Sequence, residues 1–150
     1  MKPLFAAVCL CWLSACSQDD SNSASTARTI YFVDAAVGGL PYRTNLEPRE
    51  RLTGMDGRID LGLANEVTLR LGALQLSIRN PPRFVTPRDL LPGDEMAMTN
   101  LARLLLASDQ DCNSANGIQL DAGTRDQADT ANLSLADLSS AAFDRSPSAD

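Results

Sequence analysis

Val67-Thr68-Leu69-Arg70-Leu71 and Leu74-Gln75-Leu76-Ser77-Ile78, joined by Gly72-Ala73, decide the fold of this chain. Apolar and polar residues alternate strictly on both sides of the joint. Side chains in a strand point to opposite faces in turn, so Val67, Leu69, Leu71, Leu74, Leu76 and Ile78 all fall on one face. A two-residue connection with glycine first is the preference of a type II′ hairpin. The stretch therefore reads as an antiparallel hairpin with one buried side. Arg70, on the opposite face, is expected to tolerate charge reversal.

Upstream, TIYFVDA (29–35) is rich in β-branched and aromatic residues and reads as a strand. LPYRT (40–44) reads as a second, with Pro41 placing it at a sheet edge. Gly54-Met55-Asp56-Gly57 is a turn into a short strand over Arg58 to Leu61, and Asn80-Pro81-Pro82 closes the sheet region. Downstream the period changes. Asp94 is placed to cap a helix from Glu95 to Ser108, with Ala97, Leu101, Leu104 and Leu105 on one face. Ile118 and Leu120 read as a short extended piece. Beyond Asp121 apolar residues are sparse. Residues 122–150 are expected to be a polar tail, with a weak helix around Leu135, Leu138 and Phe143 or no fixed structure, and the last six residues disordered. The expectation is a mainly β fold with a C-terminal helix: a small antiparallel β-sandwich plus one packed helix over residues 29–121.

The start of the chain carries an address. Lys2 precedes an apolar run from Leu4 to Leu13, far short of the roughly 20 residues that span a bilayer. Small residues Ser14 and Ala15 then precede Cys16. An ordinary secretory signal with an incidental cysteine is the other reading. Leu13-Ser14-Ala15-Cys16 resembles the lipobox of bacterial lipoproteins. That resemblance implies a signal peptide over residues 1–15, cleavage before Cys16, diacylglycerol on its sulfur and acylation of its amine. It also implies, from Ser17, sorting to the outer membrane rather than retention in the inner one. Two or three acyl chains anchor a protein stably where one does not. Residues 16–28, polar and serine-rich, read as a flexible tether.

Cleavage there leaves 135 residues, one domain's length, and removal of Lys2 takes the formal charge from −6 to −7. An acidic chain with no basic cluster excludes nucleic acid as a partner. Such a chain is also repelled by an anionic membrane surface, so attachment is expected through the acyl chains on Cys16, with an envelope protein as a further partner. Cys9 and Cys11 leave with the signal and Cys16 is lipidated, so Cys112 has no intrachain partner. It is either a tolerated thiol or one that forms a mixed disulfide.

Five segments carry a second resemblance: VDAAVGGLPYRT (33–44), TGMDGRIDL (53–61), VTLRLGALQL (67–76), VTPRDL (85–90) and NLARLLLASDQDCNSANGIQL (100–120). In that order they resemble a domain of uncharacterised bacterial envelope lipoproteins. The first part is also similar to the prealbumin-like β-sandwich of carboxypeptidase regulatory domains. The match runs from about Phe32 to Leu120 and departs at Ile59, where the pattern has an aromatic. It implies a sandwich fold and no activity.

The chain has no histidine. This removes Ser-His-Asp and Cys-His nucleophiles and the His-based zinc sites. No phosphate- or dinucleotide-binding glycine motif occurs, and no enzyme is expected; a carboxylate-based enzyme is the remote alternative. One constellation points to a ligand. Asp109, Asp111, Asn113 and Asn116 stand at positions 1, 3, 5 and 8 of a loop, oxygen-bearing side chains able to converge on calcium, of which the first three match the start of an EF-hand loop. Ser114 replaces the glycine and Leu120 the bidentate glutamate of an EF-hand loop. The competing reading is a helix exit built of Asx-turns. Two functions follow: a non-catalytic binding or structural module of the envelope without cofactor, or a calcium-dependent adhesion or assembly module.

Overall fold

The computed structural model describes residues 26–33, 35–113, 115–141 and 143. The signal peptide, Cys16, most of the tether and the final residues lie outside the described residues.

In chain order the strands are β1 (Arg28–Phe32), β2 (Val37–Gly38), β3 (Pro41–Thr44), β4 (Arg51–Leu52), β5 (Arg58–Gly62), β6 (Glu66–Leu71), β7 (Leu74–Arg79) and β8 (Phe84–Val85). Helices α1 (Pro87–Leu90) and α2 (Glu95–Ala107) follow. Strand β9 (Ile118–Gln119) and helices α3 (Ala122–Ala131) and α4 (Leu135–Leu138) complete the described chain. The strands form three small sheets, ordered β4-β3-β6-β7, β5-β1-β8 and β2-β9.

The hairpin takes the register its sequence dictates. Val67 faces Ile78, Leu69 faces Leu76 and Leu71 faces Leu74. Five of the six apolar residues are buried and Ile78 is partly so. Gly72 has φ +61° and Ala73 does not have a positive φ, the sign pattern of a type II′ turn. The same glycine has a second duty, because a Cβ there would strike the carbonyl of Ala128 in α3. The turn and the helix pack backbone to backbone.

β3 is not an edge strand. It lies between β4 and β6, and the sequence reading is corrected on that point. Pro41 is tolerated because it is the first residue of the strand and pairs only with Leu52; pairing with β6 starts at Tyr42. The sheet region also continues past Pro81-Pro82. β8 pairs parallel to β1, and β9 pairs parallel to β2. β9 falls on the extended piece read at Ile118 and Leu120, whereas β8 and the parallel sense of both pairings have no sequence signal, since two residues are too few for any periodicity.

The fold is mainly β, but its helical share exceeds the one packed helix expected. Residues from both larger sheets and from α1, α2 and α4 meet in one core, with Ile30, Phe32, Ile59, Leu69, Val85, Leu90, Leu101, Leu105 and Leu138 among its members. α2 buries Ala97, Leu101 and Leu105 as its spacing predicts. It also buries Asn100, whose side-chain amide donates to the Leu138 carbonyl at 2.8 Å and thereby seats α4. α1 carries a capping box between Thr86 and Asp89 with Pro87 at its first turn.

α3 has no fully buried residue. Polar links hold it instead. Asp121 caps its start by accepting from the Thr124 amide at 2.7 Å. Arg125 donates to the carbonyls of Gly39 and Leu120. Asp129 meets Arg70 at 2.6 Å. Arg70 also grips both carboxylate oxygens of Glu50, at 2.7 and 3.0 Å. It therefore joins the turn before β4, strand β6 and α3. The hairpin pattern does not show these partners of Arg70, which lie at a partly solvated site.

Candidate functional site

The loop from Ser108 to Asp121 is the constellation that the sequence singles out, and its seat is built from both flanks. Ser108 closes α2, donating its hydroxyl to the Leu104 carbonyl at 2.7 Å. The chain then returns to pair with β2, where the Ile118 amide donates to Ala36 and the Leu120 amide to Gly38. Gly117 has φ +79°, and a Cβ there would strike the Ala36 carbonyl, so only glycine allows this approach.

The four candidate ligands do not all converge. The Asp109 carboxylate accepts from the Gln119 amide at 2.9 Å, and the Gln110 amide donates to the Gln119 carbonyl at 3.1 Å. Asp109 thus closes the loop's neck. Asp111 accepts from the Asn113 amide at 2.9 Å with one oxygen and from the Asn116 side chain at 2.8 Å with the other. Asn113 accepts from the Ala115 amide at 3.1 Å. Asp111, Asn113 and Asn116 are together; Asp109 serves a different part of the loop. These are Asx-type turns, in which short polar side chains bond nearby backbone. Among the described residues no group of three or more His, Cys, Asp or Glu side chains is placed to share a metal ion.

Cys112 is exposed at the loop's rim with φ +53°, its sulfur 3.8 Å from the Asp109 carbonyl. Beside the loop, Phe32, Val37, Pro87, Leu105, Leu106 and Ile118 line an apolar cleft of about 160 Å³. Among the described residues its wall includes no titratable side chain. Cys16 lies outside the described residues.

Sequence reasoning missed Gln119 and Thr53. Gln119 is buried, and its amide donates to the Asn116 carbonyl at 2.9 Å and the Met55 carbonyl at 3.4 Å, pinning the loop to the turn before β5. Thr53 bridges two backbone groups inside the core. Neither has a local motif; both roles arise from distant backbone brought near by the fold.

The carboxylates are tuned by donors. The Asn116 amide and then the Asn113 N–H lower Asp111 below its ordinary value. The Ala97 N–H and the Ser139 hydroxyl lower Asp94. The Thr124 N–H does the same for Asp121, and the Ser134 hydroxyl for Asp137. Arg70 lowers Glu50, and Glu50 in turn raises Arg70. A carboxyl lowered on folding adds stability above its unfolded pKa and loses it as pH falls through the folded value. Stability is therefore expected to hold at neutral pH and decline progressively below about pH 5. Denaturant melts across that range check it. Asp94→Asn keeps an acceptor for the Ala97 amide and should flatten the acid limb relative to the unaltered chain.

No protein-family model, curated protein or solved structure matches this chain. No helix among the described residues is long and apolar enough to cross a membrane.

Proposed function

We propose that this chain is a lipid-anchored protein of the bacterial cell envelope, acting at the outer membrane as a non-catalytic binding or structural module. The observation that carries this reading is Leu13-Ser14-Ala15-Cys16 behind Lys2 and a short apolar run. The position of the first strand supports it. β1 begins at Arg28, twelve residues after Cys16, which leaves a polar stretch between anchor and domain. We read the two larger sheets as the leaves of a sandwich, since both feed one core. The absence of histidine from the whole sequence, and the use of the loop's carboxylates on the domain's own backbone, support a module that presents a surface.

Cys16→Ser tests the anchor. Without the thiol no diacylglycerol is attached, and two-chain anchoring is lost. Cells fed a palmitate analogue should label the unaltered chain and leave Cys16→Ser unlabelled and outside the membrane fraction. Label retained by Cys16→Ser overturns the reading.

A further inference from the structure

The outward face of the β5-β1-β8 sheet carries a feature that the anchor alone does not explain. Tyr31 stands at its centre, in register with Arg58 on one side and Phe84 on the other. The two rings lie 5.9 Å apart, and the Arg83 guanidinium sits 5.5 Å from the Phe84 ring centre. Phe84 is 54 % exposed. Next to this row Asp60 is matched by Arg58 at 2.8 Å and Arg51 at 3.3 Å. Arg28, at the head of β1, donates to the Pro81 carbonyl at 2.7 Å. Among the described residues neither Arg28 nor Arg83 has a carboxylate within ion-pair distance.

Charge is divided along the chain in the same sense. Residues 26–88 hold nine arginines against six carboxylates; residues 89–150 hold three against eleven. The acidic excess that disfavours contact with an anionic surface belongs to the helical end.

We infer that the face bearing Tyr31, Arg83 and Phe84 is the surface with which the domain rests on the lipid headgroups of the membrane holding its anchor. The inference rests on the lipid anchor proposed above. The length and exit point of the tether carry it. Twelve residues span at most about 40 Å, so the domain cannot leave the membrane's vicinity. The tether joins at Arg28, and Tyr31 lies only three residues, about 10 Å, further along β1. A short link of this kind holds the two surfaces at an effective concentration on the order of millimolar, so a weak contact suffices. Aromatic side chains flanked by arginine fit the boundary between headgroup and acyl chain, with rings in the apolar layer and guanidiniums on phosphate.

The chain's single tryptophan is Trp12, within the signal, so Phe84→Trp gives the processed protein one fluorophore at the centre of the patch. The lipidated variant is reconstituted in phosphatidylethanolamine and phosphatidylglycerol vesicles, with the palmitate-analogue label read on the same sample. Leu135→Trp, on α4, serves as the reference. Emission of Phe84→Trp should shift to the blue, and bromine-labelled acyl chains should quench it about twofold more than Leu135→Trp. Adding Arg28→Glu and Arg83→Glu should abolish the shift while melting stays cooperative. Label present with emission unshifted overturns the orientation and leaves the anchor standing. Label absent overturns the anchor and the orientation with it. Equal quenching of the two tryptophans, or a shift produced by soluble glycan strands and not by lipid, also overturns it.

Discussion

Leu69→Asp should leave the domain without a cooperative thermal transition. Leu69 is 3 % exposed and pairs with Tyr42 on β3 and Leu76 on β7, so its side chain ends in the middle of the core. Truncating such a leucine costs about 2–5 kcal/mol from lost burial and the cavity left. A carboxylate adds the cost of an unpaired charge in an apolar site, several kcal/mol more after relaxation. Together these rival the whole stability of a domain this size, roughly 5–15 kcal/mol. The neighbouring Arg70→Asp provides the comparison. It breaks the links to Glu50 and Asp129 and sets three carboxylates together, but the site is partly solvated and its pairs are worth about 1 kcal/mol at most each. Thermal melts in which Arg70→Asp is the more damaging change would mean that the hairpin register is wrong.

Thr53→Val should lower stability by about 3 kcal/mol, or roughly 10 °C in Tm, although the side chain keeps its shape. The Thr53 hydroxyl donates to the Val37 carbonyl at 2.5 Å and accepts from the Leu40 amide at 3.0 Å, and the residue is 5 % exposed. Valine leaves both backbone groups buried and unpartnered. Thr53→Ser keeps both bonds and loses only a methyl, so it should cost about 1 kcal/mol. A valine variant as stable as the serine variant would show that water replaces the hydroxyl.

These two positions mark how far the sequence could be read. Leu69 was legible because a half-buried hairpin writes its burial every second residue. Asp94 and the α2 face were legible for the same reason at helical spacing, and capping fixed the start. Thr53 was not, since nothing near it distinguishes a surface threonine from a bridging one. α3 was invisible because it buries no apolar face. It depends on Asp121, Arg125, Asp129 and contact with Gly72, none of which makes a local period. Spacing groups Asp109 with Asp111, Asn113 and Asn116; the last three stand together, while Asp109 faces the Gln119 amide. Side-chain spacing along a loop says which residues are near in sequence. The return of β9 to β2 decides which are near in space.

That return, with the pairing of β1 to β8, sets an order of events as the chain acquires its shape. Tyr31 must wait for Phe84, 53 residues later, and Val37 for Ile118, 81 residues later. The hairpin of β6 and β7 closes across two residues and is free to form early. Contacts this distant impose their loop-closure entropy before they return any stability, which slows folding. The parallel pairings of β1 and β2, at the start of the domain, are therefore the last to be secured. Until residues 84 and 85 arrive, the aromatic residues Tyr31 and Phe32 of β1 lack the strand that flanks them on one side.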